Sequence, residues 1–168
     1  AGIYSFKIEG RMKKPEYVAG VVAMYRKYVD LYLSGKKYAV EEKDKILLMD
    51  LYNRGGFHTG YYYTRNGREM VSLDRPNHAG VPAVKVLKKQ GNKVTAKALV
   101  TLSAQDVIEL PVRKGKDKAD AYTCKEEVPQ GKEFLMSVFA DTPFQKGMVW
   151  NRTRNEKLIQ SLHKTYVE

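Results

Sequence analysis

One cysteine, Cys124, is all that the 168 residues contain, so no disulfide framework is open to this chain and a reducing compartment is its natural setting. No run approaches the roughly eighteen apolar residues of a membrane helix, and no basic start followed by an apolar middle marks a secretory signal. The expected setting is therefore the cytoplasm, with no membrane partner. Histidine is scarce too: His58, His78 and His163 are scattered and form no metal-ligand spacing with Cys124, so no metal site is expected. The H-E-x-x-H helix, the G-x-S-x-G elbow and the G-x-x-x-x-G-K-[ST] phosphate loop are all missing. Cys124 falls in an expected strand, where a small buried thiol is the common outcome, whereas a nucleophile needs a low pKa and a histidine held beside it. There is no internal repeat and no low-complexity tract.

What is abundant is positive charge. Thirty Lys and Arg against nineteen Asp and Glu leave a formal charge of +11, which favours polyanions by long-range attraction and equally serves solubility. The length is enough to bury one substantial core.

Near the start, Ser5-Phe6-Lys7-Ile8-Glu9-Gly10-Arg11-Met12-Lys13 reads as a strand, with Phe6 and Ile8 on one face and Lys7, Glu9 and Arg11 on the other. Gly10 ends it. Pro15 opens a helix, along which Val18, Val21, Val22, Tyr25, Tyr28, Val29 and Tyr32 recur at helical spacing until Ser34-Gly35. Glu41-Glu42-Lys43-Asp44 begins a second, shorter helix that stops at Asn53-Arg54-Gly55-Gly56, a glycine-rich loop. Tyr61 to Thr64 favours an extended conformation, and Arg65-Asn66-Gly67 offers a hairpin turn. From Pro82 onward strands alternate with turns, at 83–87, 93–102, 106–112, 121–125, 133–140 and 148–152. Residues 155–166 form a closing helix, with Leu158, Ile159, Leu162 and Tyr166 at helical intervals. Six short strands predict a small closed antiparallel barrel, with a sandwich as the alternative. A charged strand end feeding a helix is how β/α barrels mount active-site residues, but one such unit is no barrel, so an upstream domain is expected.

Three strings carry a resemblance: Ser5 to Lys13 with Pro15-Glu16-Tyr17-Val18 and Tyr25-Arg26; Asn53-Arg54-Gly55-Gly56-Phe57-His58-Thr59-Gly60-Tyr61; and Asp74-Arg75-Pro76-Asn77-His78-Ala79-Gly80-Val81-Pro82. The chain resembles the end of the catalytic domain, together with the region C-terminal to it, in the collagenase-like proteins of peptidase family U32. The resemblance implies an N-terminal barrel-type domain with a cysteine-rich signature, which this chain does not contain. In the branch that hydroxylates RNA bases it implies an iron–sulfur cluster in that missing part; one thiol cannot hold such a cluster, which takes about four ligands. The strand order also resembles the second-domain barrel of translation elongation factors, a likeness of fold and not of function.

The expected organisation is thus mixed α+β and mainly β: residues 1–52 a strand and helices from the end of the catalytic barrel, 53–81 a glycine and aromatic connector, and 82–168 an accessory β-barrel with its terminal helix. Expected partners are the chain's own N-terminal catalytic domain and a large substrate, RNA or a collagen-like protein. A structural or protein-interaction barrel without substrate contact is the competing class.

Lys7, Glu9 and Arg11 are candidates for the parent's catalytic site, with Arg11 making a paired contact to an anion and Glu9 orienting its neighbours; an ion-pair network is the plainer reading. In the loop after Asn53, glycine N–H groups, Arg54, Phe57 and Tyr61 suit a phosphate or a stacked base, and a tight connector explains the glycines equally. His78 is a proton donor near neutral pH or part of a turn set by Pro76 and Gly80. Lys88, Lys89 and Lys93, in a hairpin that also carries Lys85 and Lys97, form with Arg113, Lys114 and Lys116 a phosphate surface if the barrel joins the two clusters, and solvated loops otherwise.

Overall fold

The computed structural model describes residues 3–57, 60–63 and 75–167. The hairpin expected around Arg65-Asn66-Gly67 and the residue His58 lie outside them.

Helix α1 spans Pro15–Leu33, with proline at its first turn where the absent N–H is no loss. Helix α2 spans Glu42–Leu51. The two pack together, and α1 also meets the terminal helix α3, Glu156–His163. Gly20, the single fully buried residue of α1, sets this approach. A Cβ there would overlap Leu51 Cδ1 and sit 3.1 Å from Leu162 Cδ1, so the absent side chain is what lets three helices converge. Polar groups fix the α1–α2 pair: Lys27 Nζ and Tyr28 Oη each reach Asp44 Oδ2 at 2.6 Å. The helical pattern of α1 is not fully used, because Val22, Tyr25 and Tyr32 stay exposed.

The N-terminal strand expected at residues 5–9 is not formed. Residues 3–10 carry no ladder pairing, since a strand exists only where a neighbour accepts its backbone bonds. Tyr61 and Tyr62 likewise belong to a short 3₁₀ turn, Gly60–Tyr62, and not to an extended segment.

The remaining chain builds one antiparallel sheet from β1 Val81–Gln90, β2 Lys93–Ala98, β3 Val107–Glu109, β4 Ala121–Thr123, β5 Glu133–Ser137 and β6 Val149–Arg154. Its order is β4-β3-β6-β1-β2-β5. β1 and β2 alternate strictly where it matters: Val84, Val86, Val94, Ala96 and Ala98 face the core, and Lys85, Lys93 and Lys97 face water. A bulge between Val86 and Lys88 and another between Pro82 and Val84 shift the register of β1 and curl the sheet. The ladder is a half-barrel: among the described residues β4 and β5 are not paired, so the closure expected from the strand count is not made by a β4–β5 ladder. One ring contact and one backbone bridge span these two ends instead. The rings of Tyr122 and Phe134 lie 6.5 Å apart, and Leu102 and Val128 each donate N–H to the other's carbonyl at 2.9 Å. Inside the curl sit Leu102, Ile108, Met136, Cys124 and Trp150.

Candidate functional site

Two places in this fold gather polar or charged side chains. The first lies where the helices meet the sheet, and all three of the sequence strings contribute to it.

At the end of α2 the chain leaves helical geometry at Tyr52, whose backbone is extended. Tyr52 becomes the centre of a stack. Lys13 Nζ lies 3.2 Å from its ring centroid, the His78 ring stacks on it at 5.5 Å and 17°, Tyr17 meets it edge-on at 6.3 Å, and Arg54 Nε donates to its hydroxyl at 2.8 Å. The Arg54 bond holds the Tyr52 hydroxyl pKa below its ordinary value, with Lys13 adding to the effect.

Next to it, Asn53 is buried and fully employed. Its amide nitrogen donates to the carbonyls of Met49 (2.8 Å) and Gly80 (2.9 Å), and its side-chain oxygen accepts from the N–H groups of Gly55 (3.0 Å) and Gly56 (3.2 Å). The glycines are needed for the turn, at φ of 124° and 102°, and their N–H groups are turned inward to Asn53. They therefore form a tight connector and not a phosphate cradle. His78 is used in part: its Nδ1 lies 3.0 Å from the Asn53 backbone nitrogen and 3.3 Å from the Asn53 carbonyl oxygen, while its Nε2 is buried with no hydrogen-bond partner among the described residues. Burial pushes the His78 pKa below its ordinary value, so this histidine is neutral at pH 7. Ala79 N–H closes the loop onto the Asn53 carbonyl at 2.8 Å.

A buried charge cluster, which sequence reading did not single out, locks α2 to the sheet. Arg152 of β6 donates through Nη2 and Nε to both oxygens of Asp50 (2.6 and 3.2 Å) and through Nη1 to Asp106 Oδ2 (3.0 Å) and the Thr101 carbonyl (3.2 Å). Burial alone pulls the guanidinium pKa down, but the two carboxylates outweigh it and hold it above its ordinary value. Asp50 also accepts from Asn155 Nδ2 at 2.9 Å, and Asp106 from the Ser103 and Glu156 N–H groups at 3.0 and 2.8 Å. The sequence held one signal for this: in Trp150-Asn151-Arg152 the inward parity that buries Trp150 also points an arginine inward.

The second place is the outer face of β1 and β2. Lys85 stands directly across from Lys97, Lys88 across from Thr95, and Lys93 across from Gln90. Lys88 and Lys89 diverge at the bulge. Lys89 turns to the 139–142 loop and donates to the carbonyls of Ala140 and Thr142 at 2.7 and 2.6 Å. Arg113 reaches the same loop, bonded to Asp120 at 2.6 Å and Asp141 at 3.0 Å and lying 3.9 Å over the Phe139 ring. The two basic clusters of the sequence thus meet at one loop, through members that are structurally committed. Lys114 and Lys116 remain exposed beside them.

The other expected site residues stay apart. Lys7 and Glu9 pair with each other at 3.0 Å with side chains 86% and 68% exposed, and Arg11 is exposed. Phe57 and Tyr61 are exposed on the connector. Cys124 is buried, and burial pushes its thiol up to about 11. One protonated thiol does not fit an iron–sulfur cluster, and among the described residues no group of three or more His, Cys, Asp and Glu is placed to hold a metal ion. Among them, too, no helix is long and apolar enough to cross a membrane.

Residues 1–72 match peptidase family U32. The resemblance carried by the first two strings is shown over that segment, and the third string lies just beyond it. A 59-residue stretch is 42% identical to the Uncharacterized protease MJ0090 of Methanocaldococcus jannaschii, covering 35% of this chain and 14% of that protein. A 49-residue stretch is 47% identical to the tRNA hydroxylation protein P1 of Bacillus subtilis (strain 168), covering 29% of this chain and 12% of that protein. No solved structure matches the chain. The similarity to U32 proteins therefore runs through α1, α2 and the glycine loop, and the sheet that those helices are locked to lies outside it.

Proposed function

We propose that this chain is the C-terminal accessory region of a peptidase family U32 protein, one that supports a catalytic domain and positions a large substrate, RNA or protein, without carrying out chemistry of its own. The observation that carries the reading is how the polar groups of the U32-like strings are spent. Asn53, Gly55 and Gly56 bond to one another and to the backbone, and His78 meets the Asn53 backbone through Nδ1 while its Nε2 is buried, so they organise a junction and leave no proton-transfer pair facing a substrate. Lys7, Glu9 and Arg11, exposed ahead of α1, belong in this reading to the parent's catalytic domain, as does any iron–sulfur cluster. The reaction of the whole protein in this reading is peptide hydrolysis or RNA-base hydroxylation, a choice in line with relatives named as a protease and as a tRNA hydroxylation protein. Its setting is the cytoplasm, a reading supported by the single buried cysteine.

The test compares a U32 catalytic domain joined to this chain with the same protein lacking residues 81–167. Raised KM for the large substrate, with kcat on a minimal substrate retained, is the expected result. Equal KM values for both forms would overturn the positioning role, and turnover by the 168-residue chain alone would overturn its passivity.

A further inference from the structure

The arginines around the sheet each have a carboxylate: Arg75 has Glu109, Arg113 has Asp120 and Asp141, Arg152 has Asp50 and Asp106, and Arg154 has Glu156. Lys85, Lys88, Lys93 and Lys97 are different. They lie on the exposed face of two adjacent strands, and among the described residues no carboxylate comes within ion-pairing distance of any of them. Lys85 and Lys97 are opposed directly, an arrangement that costs free energy in a bare sheet because like charges across a strand pair repel. Glu133 stands across from Lys97 on β5 without closing an ion pair. Along β2, Lys93 and Lys97 are four residues apart, about 13 Å at roughly 3.3 Å per residue.

We infer that this four-lysine face of β1 and β2 is a docking surface for the phosphate backbone of RNA. A row of unpaired ammonium groups on a rigid sheet matches a polymer with one negative charge per nucleotide, and it fits a neutral or mixed-charge collagen-like peptide poorly. Between the lysines the face offers Thr95, Gln90 and the neighbouring Leu135 and no aromatic ring, so it contacts phosphates without stacking bases and binds without sequence preference. Lys89 and Arg113 take no part, being tied to the 139–142 loop. The inference rests on the positioning role proposed above and names its substrate class and surface.

The test is fluorescence anisotropy of the 168-residue chain with a single-stranded RNA 20-mer, poly-glutamate and a denatured collagen peptide, each across a salt series. The chain is compared with K85Q/K88Q/K93Q/K97Q and with the charge-matched control K36Q/K37Q/K125Q/K157Q. RNA binding is expected, with a log–log salt slope that becomes shallower by about 2.8 in the face variant, four contacts at about 0.7 each on a single strand, and with much smaller change in the control. The pair K85Q/K97Q, expected to remove about half of that slope, serves if the quadruple variant unfolds. Equal losses in the control, poly-glutamate bound as tightly as RNA, preference for the collagen peptide, or no RNA binding would each overturn the inference. If deletion of 81–167 still raises KM in the joined protein while the face variant does not, the positioning role stands and this surface for it falls.

Discussion

Arg152→Met removes the cation that holds two buried carboxylates in place, and the structure sets how much that costs. The guanidinium side chain is 7% exposed, Asp50 3% and Asp106 0%. Without it, Asp50 keeps a single side-chain donor, Asn155, and Asp106 keeps two backbone N–H groups. Removing one partner of a buried ion pair costs about 3–5 kcal/mol because a charge is left desolvated and unmatched. For a chain of this size that lowers Tm by roughly 6–20 °C, at about 2–4 °C per kcal/mol. Urea unfolding followed by the fluorescence of Trp150, the chain's one tryptophan, buried two residues away on the same strand, reads the loss directly. Asp50→Leu supplies the second arm of a cycle, since in the double variant with Arg152→Met the stranded Asp50 carboxylate is gone. The double variant should lose less than the sum of the single losses, by about 0.5–3 kcal/mol. An Arg152→Met loss below about 1 kcal/mol, or strict additivity in the cycle, would show that the cluster is not the lock between α2 and the sheet.

Four further outcomes rest on the same geometry. Because burial holds the His78 pKa below its unfolded value, the unfolded chain takes up the proton first, so stability is complete above the unfolded pKa of about 6.5 and declines as pH falls from there toward the folded pKa; a His78→Gln variant should flatten that slope in urea titrations between pH 7 and 5. Asp44 runs the usual carboxylate way, lowered chiefly by Lys27 and Tyr28, so its contribution is present above its unfolded pKa and is lost as pH falls through the folded one, which Asp44→Asn should mimic at neutral pH. Gly80→Ala should prevent folding of the sheet, since φ is +69° and the added Cβ would overlap the Arg152 carbonyl oxygen; a cooperative unfolding transition like that of the parent would refute this. Cys124, buried with a raised thiol pKa, should react with a disulfide reagent only at the rate of unfolding, and rapid labelling of the native chain would contradict its burial.

The helices and the six strands were legible in the sequence because each rests on a local signal: Pro15 at a first turn, Leu158, Ile159 and Leu162 at helical intervals, and apolar runs punctuated by turns from Pro82 onward. What failed was whatever depends on a neighbour. Residues 5–9 have strand alternation but no partner to pair with, and whether the strands close depends on where β4 and β5 end in space. The candidate site was half legible. The strings named Asn53 and His78 without revealing that each serves the other, and the lysine clusters were found without the bulge at Val86 that sends Lys88 outward and Lys89 to a loop. Arg152, Asp50 and Asp106 lie 46 and 102 residues apart along the chain, beyond any motif.

The junction explains why a U32-like helical segment and a β-sheet occur together in one chain. Asp50 in the last turn of α2 and Asn53 just past its end point the end of this helix at two different parts of the sheet. Asp50 takes Arg152 from β6, and Asn53 takes the Gly80 carbonyl at the entrance to β1. Since β1 and β6 are adjacent and antiparallel, these contacts fix both the position and the rotation of the helix against the sheet. A displacement of α2 must break a buried ion pair, several kcal/mol, before it moves the lysine face. These contacts therefore hold that face at a fixed angle to α2, and under the proposed positioning role a substrate on β1 and β2 would be presented at that angle. Loosening the lock with Asp50→Asn should accordingly leave RNA affinity of the chain unchanged while raising KM for a large substrate in the joined protein. Equal loss in both assays would mean that the cluster only stabilises the sheet.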